Sequence, residues 1–273
     1  MDIINRNFLL ALRTGAFNEF VSFEPMSIYK WRQLLLMSRH QGVYPIAVAG
    51  IRSHQYDQKS RVPQCIIKEI ADGEKGDMQH NDISLSTIGE QGLSGSLAKK
   101  MEKINEEELH AIDTSTDTLH MLTLILGCSS VMLASDAYIG ALIETGQYLR
   151  TKGDKVDFVK LERWLKELHM QGMATLIGSL IMDAFGFSLE ELPFTDSYND
   201  KAKSHLERTL LATIDSQGQE WHFKQNGFGL YRGNMSAIRH KMNRSAHFAS
   251  VAPITVLHDL GASIIKSLKE IEE

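Results

Sequence analysis

Residues 157–185, with the sequence DFVKLERWLKELHMQGMATLIGSLIMDAF, decide the fold class. The apolar residues of the first part recur at the three- and four-residue spacing that places side chains on one face of a helix: Phe158, Leu161, Leu165 and Leu168. Asp157 is a candidate N-cap for this helix, and Gly172 is its candidate end. Residues 173–185 are nearly all apolar or small, which predicts a second helix at the centre of the core.

Capping residues, prolines and glycines predict the limits of further helices. In the N-terminal part, the expected helices extend from Asp2 to Gly15, from Ser27 to just before Gly42, from 43 to 53, and onward from Pro63. The corresponding signals in the C-terminal part are a capping box at Ser188 and Glu191, a cap at Asp200 for residues 201–214, and Pro253 near the start of a last helix.

Strand signals are few, since no run of alternating Val, Ile and Thr bounded by turn residues occurs. We therefore predict an all-α fold, a bundle-like array of about ten helices with little or no sheet. The expected weak joints are the glycine-containing stretch 73–95 and the segment 193–199. These signals divide the chain into helical regions 1–112 and 113–273, which we expect to pack as one compact unit.

The composition is that of a globular protein, with 43% apolar and 23% charged residues. The net charge of −5 gives no overall attraction to nucleic acid or to an anionic membrane. The most apolar stretch, 121–135, is shorter than the roughly 20 residues of a membrane span, so we expect a buried core helix. The N-terminus lacks the pattern of a secretory signal, and the isolated Cys65 and Cys128 suit a reducing compartment. We thus expect a cytoplasmic protein with no membrane partner.

The sequence lacks the motifs of several common enzyme classes. It contains no HExxH, no GxSxG and no phosphate-binding loop of the GxxxxGKS/T or GxGxxG type. Its eleven histidines show no ligand-like spacing, which is typical of surface or satisfied core histidines. Cys128 lies within the apolar stretch and is expected to be inert. We therefore predict no metal site and no cofactor.

One pair of carboxylates, Glu106 and Glu108, is a candidate for catalysis. The pair follows Gly95 and Ser96, much as two carboxylates follow a Gly-Ser turn in nucleotidyltransferases of the polymerase-β type. On a strand, both carboxylates would face one side and could hold two Mg²⁺ ions for in-line attack. Residues 99–103 are helix-like, however, and successive residues on a helix diverge by about 100°. A solvated helical face is therefore the favoured interpretation.

Several segments resemble the uncharacterised nucleotidyltransferase-like family that is common in bacteria. They are LLALR at 9–13 with residues 31–43, GDKVDF at 153–158, FSLEELPF at 187–194 with residues 200–202, and the turn NGFG at 226–229. Their order along the chain is that of the family. The resemblance implies a shared helical scaffold.

The chain departs from the family at its catalytic block. Family members carry a Lys-Gly turn and an Asp-x-Asp strand, and residues 77–117 occupy that place here with neither element. Gly140 and Glu144 stand where the family has an Arg and an Asp. No catalytic residue is therefore carried over, and the resemblance implies the scaffold without the activity.

A basic segment, residues 221–258, lies near the C-terminus and contains no Asp or Glu. Its cationic residues, interleaved with aromatic ones, are Lys224, Arg232, Arg239, Lys241 and Arg244. This pattern can bind phosphate or RNA. Alternatively, its three arginines pair with the acidic stretch 102–117 or form a solvated face, and the overall acidic charge favours this intramolecular interpretation over nucleic acid.

The leading hypothesis for function is a non-catalytic helical protein that binds a partner or ligand. The partner is unknown, and a protein is the expected kind. The first alternative is a divergent Mg²⁺-dependent nucleotidyltransferase that uses Glu106 and Glu108, with Mg²⁺ as its cofactor. The second alternative is an RNA or phosphate binder that acts through the basic segment.

Overall fold

The computed structural model describes residues 1–73, 95–111, 114–219 and Phe248. Within these residues the chain forms ten α-helices and two 3-10 helices, and no strand. In chain order the α-helices are α1 (Ile3–Phe17), α2 (Ile28–His40), α3 (Tyr44–Ser53), α4 (Gln64–Gly73), α5 (Gly95–Leu109), α6 (Thr116–Ala134), α7 (Ile139–Lys152), α8 (Phe158–Glu167), α9 (Gln171–Phe185) and α10 (Ala202–Gln219). The 3-10 helices are Gly153–Lys155 and Leu189–Glu191. The predicted all-α fold is confirmed.

Side-chain caps predicted from the sequence fix the beginnings of several helices. Each of three cap residues accepts a backbone N–H at a helix start: Asp2 for α1, Ser27 for α2 and Asp157 for α8. Ser188 and Glu191 form the expected capping box ahead of the second 3-10 helix. Because a cap satisfies an N–H group that the helix itself leaves unpaired, it sets the first turn through local interactions.

Two glycines that were predicted to end helices lie inside helices instead. α1 continues past Gly15 to Phe17, and Asn18 follows it in the left-handed conformation, with φ of 57°. α8 ends two residues before His169, which takes the left-handed conformation with φ of 56°, and Gly172 belongs to α9. The predictions were wrong because Asn and His adopt here the conformation for which glycine is usually selected.

Gly15 and Gly50 mark a close crossing of α1 and α3. A Cβ atom at Gly15 would overlap the carbonyl oxygen of Ile46, and one at Gly50 would overlap that of Ala11. Glycine is therefore required at position 15 because it has no side chain, and not because its backbone is flexible. Gly42 differs, because it follows α2 with φ of 68°, as the sequence predicted for a residue beyond a helix end.

α10 confirms the helix expected over 201–214 but extends further, to Gln219. The side chain that accepts the backbone N–H of Lys201 is that of Asn199 (3.0 Å), one residue before the predicted cap, Asp200. The last helix predicted from Pro253 lies outside the described residues.

The segment 193–199 is anchored to α9 and is not a weak joint. Phe194 and Thr195 are buried, and the backbone N–H of Asn199 donates to Ser179 Oγ on α9 (2.9 Å). Most of the other expected joint, 73–95, lies outside the residues that the structure describes.

α6 and α9 lie at the centre of the molecule. α9 packs against α1, α6, α7, α8 and α10, which confirms its predicted central position. α6 contains most of the apolar stretch 121–135. Among the described residues, it is the helix long and apolar enough to cross a membrane, but 67% of its apolar window is buried inside the fold. The expected buried core helix is therefore confirmed.

The N-terminal and C-terminal helices share one hydrophobic core. The ring of Phe17 in α1 contacts the rings of Phe185 and Phe187, with a centroid distance of 5.2 Å to each. The Arg150 guanidinium of α7 lies 3.9 Å from the centroid of Phe187. The predicted boundary between regions 1–112 and 113–273 falls at residues the structure does not describe, and these contacts join the helices on its two sides.

Candidate functional site

A network of polar side chains lies where the end of α5 meets the beginnings of α6 and α8. We call it the polar junction, and it consists of Glu108, Ser115, Thr118, Asp157 and Lys160. Glu108 is 5% exposed and Lys160 is 9% exposed. Lys160 Nζ lies 3.2 Å from both carboxylate oxygens of Glu108. Because a buried charge is tolerated only when it is paired, each residue of this ion pair depends on the other.

The spacing of α5 brings Glu108 into the core. Leu97, Met101 and Ile104 are buried on one side of the helix, and Glu108 continues their three- and four-residue spacing. Lys160 is in the first turn of α8, where Asp157 Oδ1 accepts its backbone N–H (2.9 Å). The pairing thus joins two residues that lie 52 positions apart in the sequence.

Hydrogen bonds connect the ion pair to the starts of α6 and α8. Glu108 Oε1 also accepts the backbone N–H of Ser115. Ser115 Oγ and Thr118 Oγ1 lie 2.5 Å apart, and Thr118 Oγ1 accepts the backbone N–H of Asp157 (2.8 Å). These hydrogen bonds lie at the end of α5 and at the starts of α6 and α8. The network therefore has a structural role, since it joins three helices.

The candidate catalytic pair does not converge on one point. The stretch from Gly95 and Ser96 to Glu108 is the helix α5, not a turn followed by a strand. Glu106 is exposed and Glu108 is buried, as expected for two residues about 200° apart around a helix. The expected helix is confirmed, but the expected solvated face is wrong for Glu108, because its carboxylate is held by Lys160.

A second polar group lies beside the polar junction, between α6 and α7. Tyr148 donates its hydroxyl proton to Asp117 Oδ1 (2.9 Å), and its ring lies 4.7 Å from that of His120. Burial, reinforced by the hydrogen bond to Asp117, raises the pKa of Tyr148 above its ordinary value. Tyr148 therefore remains a protonated hydrogen-bond donor at neutral pH.

The cysteines behave as buried or half-buried thiols. Cys128 is fully buried in α6, and burial, with a smaller contribution from Glu144, raises the pKa of its thiol. The predicted inert character of Cys128 follows, since the thiolate is the reactive form. Among the residues that the structure describes, no group of three or more His, Cys, Asp and Glu side chains is placed to hold a metal ion.

His54 is a core histidine whose role the sequence did not reveal. Its ring is buried between the rings of Phe20 and Phe23, at centroid distances of 4.1 and 4.2 Å. Its Nδ1 lies 2.8 Å from the Gly50 carbonyl oxygen, and its Nε2 lies 2.9 Å from that of Val21. The histidine thus holds the connection between α1 and α2 against α3.

The outer face of α2 exposes large apolar side chains. Tyr29 is 68% exposed, Ile28 is 43% exposed and Leu36 is 42% exposed. Arg32, also exposed, lies between them on the same side of the helix. We call these four residues the α2 surface.

The basic segment falls almost entirely outside the described residues, and with it Lys224, Arg232, Arg239, Lys241 and Arg244. Phe248 is its one described residue: the side chain is buried, and the ring stacks on that of His205 in α10, with 4.8 Å between centroids. The arginines of this segment were expected to form ion pairs with the acidic stretch 102–117. One carboxylate of that stretch, Glu108, pairs with Lys160 instead.

Comparison with protein-family models, with curated proteins and with solved structures gives no match to this chain.

Proposed function

We propose that this chain is a non-catalytic helical binding protein of the cytoplasm that shares its scaffold with the nucleotidyltransferase-like family. The observation that supports this proposal is the position of Glu108 in the polar junction. This carboxylate belongs to the pair whose spacing suggested metal-dependent catalysis, and it is occupied by an ammonium group and a backbone N–H.

Recruiting Glu108 to bind Mg²⁺ would require breaking a buried ion pair. Removing one partner of such a pair typically costs about 3–5 kcal/mol, because the remaining charge is left unpaired in the core. Glu106 is exposed on another side of α5 and could not supply the second carboxylate at the same place. A divergent Mg²⁺-dependent nucleotidyltransferase is therefore the weaker candidate.

The first test is thermal unfolding with each nucleoside triphosphate, in the presence and absence of Mg²⁺. We expect no Mg²⁺-dependent stabilisation. A nucleotide that bound the folded chain at about 100 times its dissociation constant would add about 2.7 kcal/mol, a shift that is easily measured. Stabilisation that requires Mg²⁺, together with nucleotide transfer by the purified protein, would refute the proposal.

Variants of the polar junction separate a structural role from a catalytic one. We expect Glu108→Leu to lose about 3–5 kcal/mol of unfolding free energy in urea, because Lys160 is left unpaired in the core. The double variant Glu108→Leu, Lys160→Met should recover part of that loss, and the rest reflects the Ser115 N–H that loses its acceptor. Glu106→Gln is the matched control and should change stability by less than about 0.5 kcal/mol.

A folded double variant that loses a nucleotide-dependent shift seen in the wild type would contradict the structural role. Equal stability of Glu108→Leu and the wild type would also contradict it, since the ion pair would then contribute nothing to the fold.

A further inference from the structure

We propose that His54 carries a proton on both ring nitrogens and fixes the connection between α1 and α2 in a pH-dependent manner. The connection consists of residues 18–27, and the His54 ring holds it against α3. This inference goes beyond the proposed binding function and does not depend on it.

The hydrogen-bond partners of the His54 ring require two donors. Nδ1 lies 2.8 Å from the carbonyl oxygen of Gly50, and Nε2 lies 2.9 Å from that of Val21. A carbonyl oxygen only accepts hydrogen bonds, whereas a neutral imidazole has one N–H donor and one acceptor nitrogen. In the neutral ring, one nitrogen would therefore direct its lone pair at a carbonyl oxygen. The doubly protonated ring donates to both carbonyls.

Two phenylalanine rings favour the same charged state. The Phe20 ring is stacked on the imidazole with 4.1 Å between centroids and an angle of 12°, and the Phe23 ring lies 4.2 Å away at 36°. Aromatic faces attract cations that lie within about 6 Å of the ring centroid, and the attraction increases when water is excluded. His54 is fully buried. Burial alone disfavours a charged imidazole, so the two carbonyls and the two rings have to offset that cost.

The surrounding carboxylates have partners of their own. The charged groups of the adjacent elements are Arg6 and Arg13 on α1, Glu19 and Glu24 in the connection, and Arg52 and Asp57 on either side of His54. Glu19 pairs with Arg13, Glu24 pairs with Arg6, and Asp57 accepts the Ser60 hydroxyl. Among the described residues, no ion pair includes His54. The proton therefore depends on the carbonyls and the rings.

This proton couples the position of the connection to pH. An ordinary histidine loses its second proton near pH 6.5, so in the unfolded chain His54 is neutral above about that pH. The folded chain then binds one proton more than the unfolded chain, and its stability falls as the pH rises. When the folded chain gives up the proton, either Val21 or Gly50 loses its donor. The connection is thereby weakened where it meets α3.

The first test is NMR of the histidine ring nitrogens in the full chain at about pH 7.5, one unit above the pH at which an ordinary histidine titrates. We expect two protonated nitrogens for His54. His40 is exposed and serves as the internal control, with a neutral ring at the same pH. A neutral His54 ring with one unprotonated nitrogen would overturn the proposal.

The second test removes one of the two aromatic faces. In Phe20→Leu we expect His54 to lose its proton at a lower pH than in the wild type, because one attraction to the cation is gone. Phe20 is 57% exposed, so the variant should fold. Tyr56→Leu is the matched control, because Tyr56 is 86% exposed in the turn after α3, and it should leave the His54 titration unchanged. Equal titration of His54 in both variants would count against the proposal.

Hydrogen exchange reports whether the connection responds to the proton. The backbone N–H groups of Phe23 and Glu24 donate to Ser60 Oγ and to Asn7 Oδ1. After correction for intrinsic exchange, their protection should fall as the pH rises through the titration of His54, and it should fall at a lower pH in Phe20→Leu. Protection that did not change across this titration would show that His54 does not control the connection.

Discussion

Gly50 lacks a side chain because α1 and α3 cross there with their backbones in contact. A Cβ atom at this position would overlap the carbonyl oxygen and carbonyl carbon of Ala11. Backbone atoms cannot move aside as the end of a flexible side chain can, so the two helices would have to separate. Gly15 faces Ile46 at the same crossing and carries the same constraint from the other helix.

Gly50→Ala is therefore expected to destabilise the fold, although alanine has the higher helix propensity. Overpacking of this kind typically costs about 1–3 kcal/mol. Gly140→Ala is the matched control, because a Cβ atom there would lie 3.5 Å from Val43 Cγ1, an ordinary contact, and replacing a helical glycine alone stabilises by up to about 1 kcal/mol. Urea unfolding of the two variants measures the difference. Similar stabilities for both would contradict the close crossing.

The connection between α1 and α2, residues 18–27, has no regular secondary structure and is fixed by hydrogen bonds to side chains. The Asn7 side chain donates to the carbonyl of Glu24 (2.7 Å) and accepts its N–H (2.9 Å). The backbone N–H of Phe23 donates to Ser60 Oγ (2.8 Å), and that hydroxyl donates to Asp57 Oδ2. Side chains from the turn after α3 thus supply the partners that a helix or sheet would otherwise provide.

Acid is expected to weaken this anchoring. Hydrogen bonds from the Ser60 side chain, the Lys59 backbone and the Ser22 side chain lower the pKa of Asp57 from 3.8 to about 2. A carboxyl whose pKa is lower in the folded chain stabilises the fold above its unfolded pKa, and that contribution is lost as the pH falls through about 2. The urea midpoint should therefore fall more steeply between about pH 4 and about pH 2 in the wild type than in Asp57→Asn.

Asp154→Asn serves as the control for this titration, since Asp154 is an exposed aspartate in a 3-10 helix away from the connection. It should keep the steep pH dependence of the wild type. A slope for Asp57→Asn that matched the wild type would show that Asp57 does not carry the effect.

At the scale of the whole molecule, contacts between distant helices join the two halves of the chain. Arg150 of α7 forms ion pairs with Glu19 after α1 (2.6 Å) and with Glu191 after α9 (3.2 Å). Its guanidinium also covers the ring of Phe187, which contacts Phe17. α9 itself packs against both α1 and α8. Loss of either half would therefore expose the apolar surface of the other.

We expect the two halves to unfold together. Hydrogen exchange measured by mass spectrometry in increasing urea should show the amides of α1 and α3 losing protection at the same urea concentration as those of α6 and α9. The reason is that neither group of helices can open without exposing the shared core. Earlier loss of protection in α1 and α3 would instead indicate two units that unfold independently.

The helical class, most helix positions and the inner face of α8 follow from the sequence alone. These features depend on residues within one or two turns of each other: the caps Asp2, Ser27 and Asp157, the apolar spacing in α8, and the nearly continuous apolar run in α9. The residues that make these local interactions are close together in the sequence. Periodicity and capping rules are therefore sufficient to find them.

The tertiary structure decided the features that depend on residues far apart in the chain. Glu108 could be placed on a helix from its neighbours, but its burial depends on Lys160, which is 52 positions away. Gly15 could be mistaken for a helix end, because the feature that requires a glycine there is the backbone of Ile46, which lies on another helix. The outward position of Tyr29 and Leu36 likewise depends on which face of α2 the core occupies. A pattern along one helix gives its own periodicity, whereas charge pairing, close approach and exposure depend on the distances between helices, which only their packing sets.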